Sequence, residues 1–422
     1  MCQKNVKKIL FVGMNHEHAN DMHINNVQSF LEVAQVDFFG PGYTSREKLE
    51  SGLGVFWKEN GGYDVLILDF SLAMLQQEYL DIRLAYHWHR YFLSDFSIYQ
   101  SIRWADNIVK DAKQVEAVKL IVYQFDTHTF IEAWEKCITD LLYCGFYFWG
   151  TGIEYFPPLA ENEKTKEKGG TNRYFYFCKN NGDKILSMPY CTVNPKEYFS
   201  FPLESRTYDI TIPGNLDAFF YPERSKISKI METSGYKVYD QYYERAFAYR
   251  IAKSCVSQTL YRHEEDRLLD TKLAVPCPYI DSKLTRESIV MWRENYNVAL
   301  RQSKIGYACG GYIHQLFRKF VEIPARGTLL LCQDIPPLKN YGFKNWENMI
   351  TVTADNILEV IDYLFKNPKE MQHIADNGRK MVYEKHTPVR QAELILNAIK
   401  SIETGTFAGS YWENGEFIVR TL

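Results

Sequence analysis

The segment from Ser303 to Gly327, SKIGYACGGYIHQLFRKFVEIPARG, runs without a break into the apolar TLLLC. It reads as a strand, a glycine turn at Gly310-Gly311, a helix bearing Arg318, Lys319 and Glu322, and then a buried strand released by Gly327. A strand this uniformly apolar belongs in a parallel sheet covered by helices on both faces. Sheets of that kind bind nucleotides in the crevice beyond the carboxyl ends of their strands.

The pattern continues in register. A loop with Pro336 and Pro337 leads to GFKNWENMITV and an amphipathic helix from Asn356 to Phe365. Asn367-Pro368 stops that helix, a second runs to Arg379, and HTPVRQAELILNAI closes the unit. Taken in order, Phe320 to Leu331, Gly342 to Asn348, Asn367 to Val382 and His386 to Arg390 resemble the C-terminal, donor-binding half of GT-B glycosyltransferases. The resemblance is to the group-1-like branch that includes the spore maturation protein B family. It implies an α/β fold of two doubly wound, Rossmann-like parallel-sheet domains facing a central cleft.

The first half of the chain is consistent with that architecture. KKILFVG is a buried strand ending at Gly13, VDFFGPGY a second, DVLILDF a third and KLIVYQFDTH a fourth, with helical stretches between them. Residues 160–184 are charged and glycine-bearing and read as a mobile loop or hairpin connection. The short strand KILSMPY then leads to a linker at about 195–206. The expected division is therefore an acceptor-binding domain over 1–203, a nucleotide-sugar domain over 204–400, and a last segment, 401–422, crossing back to the N-terminal domain.

At 422 residues the chain suits two domains of about 200 residues each. Its net charge of −3 gives no electrostatic case for nucleic acid. No apolar run approaches the roughly 20 residues that span a bilayer, so no transmembrane segment is expected and membrane association would be peripheral. The opening MCQKNVKKILFVG enters a strand directly, which argues against a signal peptide. Nine dispersed cysteines without zinc-like spacing fit a reducing, cytoplasmic setting. Aromatic residues make up 15% of the chain, including 30 tyrosines, and serve packing as readily as sugar stacking.

Donor-side candidates follow from strand-to-helix junctions. In YDITIPGNLDAFFYPERSKI a strand ends at Gly214-Asn215, and Arg224 falls in the first turn of the next helix. Unpaired N–H groups and a partial positive charge at a helix N-terminus hold a diphosphate, and an arginine adds a bidentate contact. The alternative is an arginine paired on the surface. The resemblance supports the phosphate reading, because the branch carries a YPxR segment here, matched by Tyr221, Pro222 and Arg224. It also implies a ribose-binding carboxylate at Glu322, with His314 standing where related enzymes have a first glutamate. Glu322 could instead pair with Arg326 on its own helix. Arg318 and Lys304 are further diphosphate candidates.

On the acceptor side, Asp126 and His128 follow the fourth strand. Either could act as the base of an inverting transferase, and Asp126 could equally be a helix N-cap. Gly13 and His16 belong to the loop after the first strand. The His16, Glu17, His18 triplet lacks a third ligand position and reads as solvated loop rather than metal site. No DxD motif is present, and no GxSxG context supports a hydrolase.

These readings converge on transfer of a sugar from a UDP- or GDP-sugar to a hydroxyl of a glycan or glycoconjugate, with no metal or cofactor required. Two other classes stay open: a non-catalytic protein of the same fold, and a nucleotide-sugar epimerase.

Overall fold

A computed structural model describes residues 7–15, 29–81, 98–125, 127–155, 170–188, 192–214, 216, 218–239 and 295–422. Asp126, His16 and Asn215 lie outside the described residues.

Six strands form the first sheet: β1 (Lys8–Val12), β2 (Gln35–Phe39), β3 (Val65–Asp69), β4 (Val118–Val122), β5 (Phe146–Gly150) and β6 (Ile185–Ser187). They are parallel throughout, in the order β2-β1-β3-β4-β5-β6. The continuous apolar runs of β1 and β3 are buried on both faces, as a covered parallel sheet demands. Helices α1 (Ile98–Gln114), α2 (Glu132–Tyr143) and α3 (Gly170–Asn180) belong to this half. The last is a correction: Gly170–Asn180 is a helix rather than part of a mobile loop, because Thr171, Tyr174, Phe177 and Cys178 bury one face among the polar residues.

The second sheet contains β7 (Tyr208–Thr211), β8 (Val238–Tyr239), β9 (Ser303–Ala308), β10 (Leu329–Cys332) and β11 (Ile350–Thr351), all parallel, in the order β11-β10-β9-β7-β8. Around it lie α4 (Pro222–Glu232), α5 (Lys319–Ala325), α6 (Ile357–Lys366) and α7 (Pro368–Lys385). The strand order reverses direction between β7 and β9, and between β1 and β3 in the first sheet. These are the two topological switch points, and their carboxyl ends mark where ligands bind in doubly wound folds.

The chain crosses between halves twice. The outward crossing is anchored by Arg206, 5% exposed, which donates to the carbonyl oxygens of Phe201, Leu300, Ser303, Arg326 and Gly327. The return lies at His386–Pro388, earlier than the expected 401. Thr387 caps α8 (Pro388–Glu403) with its side chain on the Arg390 N–H, and Ala392, Ile395, Ala398, Ile399 and Ile402 of α8 join the core of the first sheet. The two crossings touch, Val193 N donating to His386 O at 2.9 Å. Beyond α8, β12 (Phe407–Glu413) and β13 (Glu416–Thr421) form an antiparallel hairpin packed against β6. Among the described residues no helix is long and apolar enough to cross a membrane.

Candidate active site

The β7–β9 switch point is built around a glycine. Gly214 has φ +127°, and a Cβ there would collide with the Arg224 guanidinium and lie 2.9 Å from Lys319 Cε. Only the missing side chain lets two cations close on bare backbone at the end of β7. Pro222 opens α4, which places Arg224 in its first turn, where backbone N–H groups point outward. The Arg224 side chain is 2% exposed, lies over the Tyr221 ring at 4.2 Å and donates to Cys309 O at 3.4 Å.

The adjacent basic pair divides its work. Arg318 turns to Glu322, its Nε 2.6 Å and its Nη2 2.5 Å from Oε1. Lys319 instead reaches the Gly214 crevice. Glu322 is 3% exposed and also accepts from Tyr198 Oη at 3.2 Å and Tyr296 Oη at 2.5 Å. Burial would push its carboxyl up, but Arg318, the Tyr296 hydrogen bond and Lys319 outweigh that and hold it below the usual carboxylate range. Its partner on the helix is thus Arg318; Arg326 lies over the Tyr198 ring and donates to Asn297.

Lys304 is not brought to this crevice. It sits near the amino end of β9, the opposite edge of the sheet, paired with Asp209 at 3.0 Å and lying over the Phe365 ring. With about 3.3 Å of rise per residue, four residues separate it from the carboxyl end by over a nanometre. The diphosphate reading of Lys304 is therefore corrected.

In the first half, Gly13 ends β1 at the other switch point, where a Cβ would lie 2.8 Å from that of Asp69. His128 stands on a 3-10 turn, Thr127–Thr129, after β4, and its ring meets Phe220 of the second half at 5.9 Å. Beside it, between the first turns of α2 and α3, opens a hollow of about 590 Å³ whose lining includes Glu132, Glu135, Arg173 and Tyr176. The two halves meet at Thr127, whose hydroxyl donates to Gln315 Oε1 at 3.1 Å.

Several buried polar atoms at these carboxyl edges have no hydrogen-bond partner among the described residues: Gln124 Oε1, Thr211 Oγ1, Tyr307 Oη, Tyr312 Oη and Gln315 Nε2. A buried polar atom without a partner costs about 1–3 kcal/mol. Sequence reasoning marked the Arg318 and Lys319 pair but took Arg318 for the phosphate, and it missed Tyr312 and Gln315, whose side-chain Oη and Nε2 have no hydrogen-bond partner among the described residues.

Residues 279–397 match the Glycosyl transferase-like family, on the stretch whose motif order carried the resemblance. Among solved structures, a glycosyltransferase from Rickettsia africae shares the fold at 12% identity and a TM-score of 0.50, over 95% of this chain and 100% of that chain. The chain has the GT-B fold. Sucrose-phosphate synthase from Thermosynechococcus elongatus aligns at 11% identity over 95% of this chain and 100% of its own, TM-score 0.47. Anabaena HepE, solved in complex with UDP-glucose, aligns at 10% identity over 94% and 100%, TM-score 0.45. No curated protein sequence matches. The spore maturation branch rests on the sequence motifs alone.

Proposed function

We propose that this glycosyltransferase moves a sugar from a nucleotide-sugar donor, UDP- or GDP-linked, to a hydroxyl of a glycan or glycoconjugate. The observation that carries the reading is the convergence of Arg224 and Lys319 on Gly214 at the β7–β9 switch point, where α4 begins. As the glycosidic bond to the donor breaks, negative charge develops on the leaving diphosphate. Two fixed cations and a helix N-terminus stabilise that charge without reorganisation. Glu322 is the proposed ribose acceptor. Both its oxygens now hold phenols or Arg318, so a ribose would take the place of a tyrosine hydroxyl.

The acceptor would lie against the first half, in the hollow beside His128. His128, with Asp126 two positions before it in sequence, is the proposed base if the reaction inverts the anomeric centre. The test is nucleotide release from a panel of UDP- and GDP-sugars by the full chain, with and without EDTA. Turnover that survives chelation is expected, because the protein's own cations hold the leaving group. Activity lost to EDTA and restored by Mn²⁺ would overturn the metal-independent part. A thermal shift without turnover would indicate a non-catalytic binder, and a changed sugar without nucleotide release an epimerase.

A further inference from the structure

We propose that a second anion site lies at the outward crossing between the halves, on the amino edge of the second sheet, where Arg301, Arg326, Arg379 and Ser303 take a phosphate group.

The crossing assembles the site. Arg206 Nη1 donates to Ser303 O at 2.8 Å and to Leu300 O at 3.2 Å, and its Nη2 donates to Arg326 O at 2.8 Å. The segments that carry Arg301 and Arg326 are thereby drawn onto residue 206. Tyr198, earlier on the same crossing, lies under the Arg326 guanidinium at 4.3 Å. Its carbonyl accepts from Tyr383 Oη at 3.0 Å, and Arg379, one turn before Tyr383 on α7, lies over that ring at 5.0 Å.

The cations are poorly answered by the protein's own carboxylates. Arg206 gives its donors to backbone carbonyls and the Thr328 hydroxyl, and Arg326 gives Nη2 to Asn297 Oδ1 at 2.7 Å. Glu322 is held by Arg318. Burial, then the charge of Arg379, pull Arg206 down to about 10 against Asp376, and burial with the charge of Arg301 lowers Arg326.

Unused donors gather in the same place. The buried Nε–H groups of Arg301, Arg326 and Arg379 and the Ser303 hydroxyl have no hydrogen-bond partner among the described residues. Arg326 is 3% exposed and Ser303 0%. Guanidinium groups that repel one another and keep N–H donors to spare suit a phosphate, whose oxygens face several directions at once. Arg301 and Arg379 are half-buried, which keeps the group within reach of solvent. The donor crevice is elsewhere: Gly214 follows the carboxyl end of β7, whereas Arg206 precedes its amino end. An anion bound here relieves the repulsion and braces the crossing that joins the halves.

Calorimetry and thermal melts on the full chain test the site with inorganic phosphate, glucose 6-phosphate and phosphatidylglycerol vesicles. The first two stand for a soluble ligand and the third for a lipid headgroup. Arg301→Gln and Arg379→Gln are the variants, both at half-buried positions, and Arg224→Ala is the control in the donor crevice. Wild type and Arg224→Ala should bind at least one probe equally, and each glutamine variant should bind it about tenfold or more weakly. In phosphate-free buffer Arg379→Gln should melt no lower than wild type, because it relieves Arg206, and it should lose the rise that the anion gives wild type. Binding of a soluble probe assigns a free phosphate compound, and binding of vesicles alone a headgroup. Binding abolished by Arg224→Ala, binding kept at wild-type strength by either glutamine variant, or no binding of any probe would overturn the proposal. So would an Arg379→Gln melting temperature lowered alike with and without phosphate, which marks a purely structural arginine.

Discussion

At the scale of single residues, the crevice explains which neighbouring cation does what. Successive residues on a helix point about 100° apart, so Arg318 and Lys319 cannot both face the same ligand. Glu322 lies four positions after Arg318, on its side of the helix, and captures it. Lys319 is thereby left for Gly214. The sequence made Arg224 legible through Pro222 and the strand before it, but the choice between two adjacent basic residues needed the helix phase. Arg224→Ala should weaken UDP by about 1.5–3 kcal/mol, roughly ten- to a hundredfold. Gly214→Ala should weaken it comparably, by driving a methyl group between the two cations. Lys304→Ala, at the far end of β9, should leave UDP affinity at the wild-type value. Calorimetry on the three variants checks the set, and a Lys304 effect as large as that of Arg224 would mean the wrong edge of the sheet has been assigned.

At the scale of elements, the alternation of apolar strands and helices was readable because strand burial and helix amphipathicity leave different periods. The allegiance of α8 was not. Its stripe of Ala392, Ile395, Ile399 and Ile402 would suit either sheet, and only the folded chain shows that α8 packs against β4 of the first. The turn into α8 carries a titratable device. His386 is 1% exposed, donates from Nε2 to Tyr341 O at 2.8 Å, and stacks on Phe343 and Trp412. Burial lowers its imidazole to about 4, the Tyr341 carbonyl opposing that only in part. A neutral buried histidine stabilises the fold fully above the unfolded value near 6.5 and progressively less as pH falls through the folded one. Between pH 7.5 and 4 the loss should approach about 3 kcal/mol. His314, half-buried and shifted in the same direction, adds to the slope. His386→Phe should lower stability at pH 7.5 yet flatten the acid limb, as urea midpoints at pH 7.5 and 5 would reveal; an unchanged slope would place the acid sensitivity elsewhere.

At the scale of the whole molecule, the C-terminal hairpin is a strap that binds first half, second half and return crossing together. Ser410 Oγ accepts from Ser187 N at 2.9 Å, extending the polar edge of β6. Trp412 Nε1 donates to Ser187 O at 3.1 Å, while its ring lies against Tyr341 and His386. Gly415 N donates to Asn340 O at 2.8 Å, and Asn340 Nδ2 reaches Glu154 O of the first half at 3.3 Å. Between them Glu154 accepts from Trp412 N and the Ser187 hydroxyl, and burial pushes its carboxyl above the ordinary range against those bonds. Its sign is opposite to that of His386: the contribution is full below the unfolded carboxylate value and is lost as pH rises through the raised folded one. None of these contacts includes Gly214, Arg224 or Lys319, so the strap should govern how firmly the halves are held and not how the nucleotide binds. Trp412→Ala, which empties a site 3% exposed, should cost about 3–5 kcal/mol of stability. Its UDP affinity at 15 °C should stay within about twofold of wild type, since sites that share no partners are close to additive. Glu154→Gln should lose less stability than wild type as pH rises from the ordinary carboxylate range. A Trp412→Ala protein that stays folded, by circular dichroism and chevron-derived unfolding rate, but no longer binds UDP would show that the strap reaches the crevice after all.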